Sequence, residues 1–207
     1  MEKIIDIGKK IFNKYGGADI ASKHYVKYFN KWIKTKDFEK RKINKKFLKI
    51  GNIYYFEYFK KDEMYKLYDS KLPFFDMKPI GLLIDYDKEK GYVKFIDLNI
   101  VPYNVKLLLF EILNKRYKYF IEKSENNTVE KWLEFPDVKE YIEKYIRYNI
   151  KISYIKYDLK YIKYVYGIDW SKINMLLFMN KEDDVYYNKR NRINKYELYR
   201  LYKKNMR

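Results

Sequence analysis

LPFFDMKPIGLLIDYDKEKGYVKFIDLNIVPYNVKLLLFEILNKR, residues 72–116, decides how this chain folds. It opens on a Pro-aromatic-aromatic-Asp turn and passes through an apolar run, a Lys/Glu/Gly turn, a partly alternating run and a proline. The runs at 79–86 and 92–100 read as strands. The charged loop Asp87-Lys88-Glu89-Lys90-Gly91, with glycine near its end, joins them into a β-hairpin. In the second strand Val93, Phe95 and Leu98 stand against Lys94 and Asp97, and Pro102 ends the run. A helix over 103–115 follows. Its Val105, Leu108, Leu109, Ile112 and Leu113 recur at i, i+3, i+4, i+7 and i+8, which places them on one face. No catalytic group stands out within the segment.

Working outward, Ile4, Ile5, Ile11 and Phe12 predict a helix over 2–15, stopped by Gly16-Gly17. Asp19 is placed to cap a second helix running to Ile33, with Tyr25, Tyr28, Phe29 and Trp32 as its aromatic face. Residues 34–49 carry eight Lys/Arg against two acids and read as an exposed basic connector, helical in part. NIYYFEYF at 52–59 reads as a strand, and 60–70 as a polar loop or arm. After the hairpin and its helix we expect a loop at 124–128, helical pieces at 128–134 and 138–149, and a helix over 154–166 closed by Gly167. The run MLLFM within 168–179 fits either a buried strand or a turn of core helix; we take the strand. Residues 185–207, with eight Lys/Arg and one Glu, form a basic tail with a terminal helix from Lys195.

No repeat of solenoid period and no Gly/Ser- or Pro-rich linker divides the chain. The expectation is therefore a single domain over 1–207: an N-terminal helical region (1–50), a β/α core (51–180) and the basic tail (185–207). The fold class is α+β, with a small antiparallel sheet from 52–59, 79–86, 92–100 and 170–179 flanked by helices.

Composition narrows the chemistry. The absence of cysteine excludes a disulfide framework, a thiol nucleophile and a Cys-ligated zinc site, and fits a reducing compartment. The net charge of +18 points to a polyanionic partner, either nucleic acid or an acidic protein surface. Lysine outnumbers arginine 39 to 7, and Lys, Asn, Ile, Tyr and Phe all have AT-rich codons, so genome composition explains part of that excess. No stretch approaches the ~20 apolar residues of a membrane span, and the first 15 residues lack the apolar core and cleavage site of a signal peptide. We expect a soluble protein that does not meet membrane.

The single histidine, His24, reads as a packing or surface residue, and one histidine cannot build H-E-x-x-H chemistry. Asp85, Asp87 and Glu89 alternate like calcium ligands. However, Lys90 stands where an EF-hand loop needs glycine and Ile96 where it needs glutamate, so a solvated turn is the better reading. Asp69-x-Lys71 and Asp158-x-Lys160 match half of a magnesium-nuclease pattern, but such triplets arise by chance in a chain this rich in lysine. No phosphate-cradling glycine motif occurs. We expect no catalytic residue, metal or cofactor. Tyr154, Tyr157, Tyr161 and Tyr164 share a helical face and could stack on bases, although core or interface packing demands the same pattern.

Two stretches carry a resemblance: Gly51-Asn52-Ile53-Tyr54-Tyr55-Phe56-Glu57-Tyr58, and Leu72-Pro73-Phe74-Phe75-Asp76-Met77-Lys78-Pro79-Ile80. They resemble the Gly-x-Ile-Tyr-x-Phe-x-Tyr and Leu-Pro-Tyr-Tyr-Asp-x-x-Pro-Leu patterns of a family of tailed-bacteriophage virion structural proteins, often labelled DNA end protectors. The run from Gly91 to Pro102 is similar to the family's Gly-Phe-x-Gly-Leu-Asn-x-x-Tyr-Leu-Pro, Ile168-Asp169-Trp170 with Met175–Met179 to its later Glu-Trp and apolar run, and 185–207 to its basic end. The chain departs from the family with Phe74-Phe75 for Tyr-Tyr and Phe95-Ile96 for Gly-Leu.

The resemblance implies a virion protein of the head–tail connector, neck or portal region, assembled in the host cytoplasm in several copies forming a ring. Its partners would be portal, connector or tail proteins and the end of the packaged double-stranded DNA. The alternatives are a magnesium-dependent DNA-processing nuclease and a free nucleic-acid-binding protein. On this reading Phe74 and Phe75 are packing anchors and Asp76 bonds local backbone amides. In the tail, Lys189, Arg190, Arg192, Arg200, Lys203 and Lys204 meet DNA phosphates or acidic protein patches. The interleaved Tyr187, Tyr196, Tyr199 and Tyr202 favour docking on protein.

Overall fold

The computed structural model describes residues 3–58, 78–99, 101–114, 133, 140 and 153–179. Over these the chain is α+β, with five α-helices and a six-stranded antiparallel sheet. The order is α1 (Ile4–Tyr15), α2 (Ala18–Trp32), α3 (Lys36–Glu39), β1 (Lys42–Ile43), β2 (Ile53–Tyr58), β3 (Ile80–Asp87), β4 (Tyr92–Asp97), α4 (Tyr103–Ile112), β5 (Tyr154–Asp158), β6 (Ile162–Ile168) and α5 (Ile173–Phe178). Gly16, left-handed at φ 73°, closes α1 with its N–H on the carbonyl of Phe12, a conformation open to glycine at little cost. Gly91, at φ 69°, completes the hairpin turn between β3 and β4.

The strands run β1-β6-β2-β3-β4-β5, each antiparallel to its neighbours. β5 and β6 thus lie four ladder steps apart, about 19 Å in a flat sheet. Only the 3₁₀ turn Leu159–Tyr161 joins them, and the chain from Asp158 to Ile162 reaches at most about 14 Å. The sheet must therefore curl. The rings agree: Phe56 on β2 and Tyr157 on β5, three steps apart, have centroids 4.8 Å from one another, and Tyr58 lies 5.0 Å from Tyr157. Strands β2 to β6 thus curl into a barrel-like sheet, although no ladder of hydrogen bonds joins β5 to β6 among the described residues. Lys45 pins the closing turn, donating from Nζ to the carbonyls of Leu159 (2.7 Å) and Ile162 (3.3 Å).

Two cores result. Inside the barrel, Tyr54, Phe56 and Tyr58 of β2 meet Leu83, Phe95 and Tyr157. Outside, Ile53 and Tyr55 alternate with them and join Ile80, Leu82, Ile96 and Tyr166 against the helices. Because both faces are buried, β2 reads as a nearly continuous apolar run. A Cβ at Gly81 would stand 2.8 Å from the Phe95 ring and 2.9 Å from its Cβ, so glycine lets that ring cross the strand.

Helix α4 also anchors its neighbours through buried charge. The Glu111 carboxylate accepts the Ile4 N–H (2.9 Å) at the start of α1, which has no side-chain cap of its own. Buried Lys106 donates to the Met179 carbonyl (2.5 Å) at the end of α5. Each charge sits at the helix end whose dipole it complements.

The hairpin, its turn, the strand at 52–59 and the start of helix 103–115 stand as expected. Val105, Leu109 and Leu113 are buried; Phe59, Ile100 and the side chain of Ile112 lie outside the described residues, as does the loop at 60–70. Four expectations are corrected. Gly17 rather than Asp19 is the N-cap of α2, and Asp19 sits in its first turn. The stretch 34–49 is largely exposed and helical in part at α3, as expected, but it also holds β1 and a 3₁₀ turn, and Phe38 plugs the core, stacked on Tyr166 at 4.5 Å. The helix expected over 154–166 is instead β5, the 3₁₀ turn and the start of β6. Tyr154 faces the outer core and Tyr157 the inner, as alternation along a strand requires.

The fourth correction is MLLFM. It lies in α5 and its cap rather than in a strand, so the 170–179 segment leaves the sheet and 154–168 takes its place. Met175 to Met179 are all buried, and a helix surrounded by core shows no polar face to betray its period. The helical pieces at 128–134 and 138–149 lie outside the described residues apart from Leu133 and Glu140.

Candidate functional site

Phe74, Phe75 and Asp76, with the tail residues Lys189, Arg190, Arg192, Tyr196, Tyr199, Arg200, Lys203 and Lys204, lie outside the described residues, as do Tyr187 and Tyr202. The described surface offers two cationic arrangements that the sequence reading did not single out.

The first surrounds Trp32 near the end of α2. The Arg41 guanidinium lies 5.2 Å from the indole centroid and the Lys172 ammonium 4.8 Å from it. Lys172 also reaches the Tyr28 hydroxyl (3.2 Å), and the Tyr28 ring stacks beside Trp32. Arg41 donates to Asp169, which also accepts the Ser171 hydroxyl and its backbone N–H, and Arg41 pairs with Asp37 at 3.6 Å. The indole N–H donates to Asp37 (3.0 Å). Arg41 and then Ser171 hold the Asp169 carboxyl below its ordinary value, and the Trp32 bond does the same for Asp37. Asp169 in turn raises Arg41. Arg41 is matched by two carboxylates, and Lys172 rests on the Trp32 and Tyr28 rings. The cluster fastens α2 and α3 to the turn that follows β6.

The second is the outer face of α2. Lys23, Lys27 and Lys31 fall at i, i+4 and i+8, and Lys34 extends the row in the turn that follows the helix. At 100° per residue the four occupy an arc of about 80°, opposite the buried Ala21, Phe29 and Trp32. With Val26 and Asn30 they line a shallow groove of about 300 Å³. All four lysines are exposed, and α2 carries one acid, Asp19 in its first turn. No ion pair holds their ammonium groups among the described residues. The signal was legible in the sequence: lysines at fourfold spacing with no glutamate between them.

Other cations rest on rings. Lys156 sits 3.9 Å from the Tyr92 centroid and Lys42 4.4 Å from that of Tyr164. His24 is exposed and packs on Tyr15 (4.8 Å) and Tyr25 (5.2 Å), and burial pushes the Tyr25 hydroxyl up to about 12. Asp87 accepts the Lys90 N–H (2.8 Å) and pairs with its ammonium (3.2 Å), so the Asp/Glu-rich hairpin is held by its own lysine. Asp158 ends β5, while Lys160 turns onto the Tyr161 ring; Asp69 and Lys71 lie outside the described residues. Among the described residues no three His, Asp or Glu side chains are grouped to hold a metal, and no helix is long and apolar enough to cross a membrane.

No family model, curated protein or solved structure matches this chain.

Proposed function

We propose that this protein is a structural component of a tailed-phage particle, without catalytic activity. It would sit at the head–tail connector or portal region, in several copies, against other virion proteins and the end of the packaged DNA. One observation carries the reading: the first stretch of the resemblance falls on residues that build the scaffold. Residues Ile53–Tyr58 are the paired strand β2, with Ile53, Tyr54, Tyr55, Phe56 and Tyr58 buried and divided between the two cores. A signature of that kind specifies a shape to be repeated rather than a reaction. The lysine row on α2 supports the DNA side of the reading, since it offers uncompensated positive charge on a rigid element.

The test is mass spectrometry of purified particles beside the lysate that produced them. We expect the protein in particles at a fixed ratio to portal or tail proteins. Abundance in the lysate with absence from particles would overturn the proposal and leave the free nucleic-acid-binding protein as the better reading.

A further inference from the structure

We infer that the outer face of α2 is a contact surface for the phosphate backbone of double-stranded DNA, made by Lys23, Lys27, Lys31 and Lys34 with Asn30 between them. The inference rests on the proposed role only in naming DNA as the polyanion. Elsewhere on the described surface Arg41 has Asp37 and Asp169, Lys78 has Glu57 and Lys90 has Asp87, while Lys42, Lys156 and Lys172 rest on aromatic rings. On α2 three lysines share one face with no acid after Asp19, and Lys34 continues the row in the turn that follows. Like charges at fourfold spacing repel, so this helix gives up stability that a glutamate in place of Lys27 would restore.

The dimensions fit a duplex. From Lys23 to Lys34 the row spans about 16 Å at 1.5 Å per residue, a length in which one DNA strand presents about five phosphates. The residue types fit as well. Lysine is a compact point charge suited to phosphate, without the guanidinium fork that reads base edges, so the contact is independent of sequence. Asn30 lies among the lysines, where its amide can donate to a phosphate oxygen. A protein-docking face would instead centre on a large apolar anchor and be depleted of lysine. Here the groove's one apolar lining residue is Val26, itself buried.

The experiment compares the full-length protein with a variant carrying Lys23→Gln, Lys27→Gln, Lys31→Gln and Lys34→Gln, the tail left unchanged. Fluorescence anisotropy with a blunt duplex is followed against salt. The wild type should bind. The variant should lose at least about tenfold in affinity at low salt, and its log–log salt slope should flatten by about three to four units, since each neutralised phosphate contributes about 0.9. Circular dichroism checks the fold; should the quadruple variant misfold, Lys27→Gln with Lys31→Gln should flatten the slope by about half as much. The four-lysine-to-arginine variant should bind like wild type.

An unchanged slope in a folded glutamine variant overturns the inference. So does a wild type that ignores duplex DNA, which would pass the row to an acidic protein partner. A protein present in particles whose glutamine variant keeps its slope fails this inference alone. A protein absent from particles whose variant loses its slope fails the virion reading alone.

Discussion

The two faces of the one sheet are packed in different ways. Inside the barrel, strands pack on strands: Phe56, Phe95 and Tyr157 close a ring cluster supplied by β2, β4 and β5. Outside, the same strands pack on helices from the beginning, middle and end of the chain, and two of those helices are held at their ends by Glu111 and Lys106 of a third. The inner core therefore fixes the curl of the sheet. The outer core fixes where the helices, and with them the α2 surface, are presented.

Phe56→Ala should have the largest effect. Its ring is fully buried between Phe95 and Tyr157, and truncation should cost about 3–5 kcal/mol in urea unfolding. A loss under ~1 kcal/mol, within the range of surface substitutions, would break the curled sheet with its packed inner core. Leu109→Ala acts on the other core. Burial at 1% exposure predicts a loss of about 3 kcal/mol, together with weaker protection of α1 and α5 from hydrogen exchange while the barrel amides hold. Barrel and helices loosening together would merge the two cores into one cooperative unit.

Gly81→Ala sharpens the inner side. The added methyl meets the Phe95 Cβ as well as its ring, and a Cβ cannot swing away, so overpacking should cost about 1–3 kcal/mol. The pair Gly81→Ala with Phe95→Leu should recover part of that loss, and failure to recover would place the strain elsewhere.

Asp169→Asn is the smallest. This carboxylate is half exposed, so its pair with Arg41 is worth under about 1 kcal/mol after screening by solvent. Its pKa is lowered in the folded protein, by Arg41 first. The contribution is therefore complete above the ordinary aspartate range near pH 4 and is lost as pH falls through the lowered folded value. The variant should be less stable at neutral pH and show a flatter acid limb, with the gap to wild type closing as pH drops. A constant gap across the acid range would detach Asp169 from Arg41.

The site was less legible than the fold. Phe74–Asp76 and the tail stand out in the sequence through punctuation and dense charge. The row on α2 does not, because its lysines are interleaved with Tyr25, Phe29 and Trp32, which assign that helix to the core. The Trp32 cluster could not be read at all. Arg41 lies far in the chain from Asp169 and Lys172, and they meet only when β6 pairs with β1.

The sequence by itself determined the elements whose signals are local. The glycine stop of α1, the Asp87–Gly91 turn and the one-sided apolar face of α4 need no distant partner to be recognised. Only the tertiary structure decided that 154–168 is two strands and that MLLFM is a helix. The physical reasons differ. MLLFM is buried all round, so no polar residue marks a solvent side. In 154–168, by contrast, tyrosines spaced three and four apart suit a helix face as well as strands that meet a core on either side. Local preference is then weak. The outcome belongs to the partners: β2 and β4, whose open edges β6 and β5 complete, and the helices that enclose Met175 to Met179.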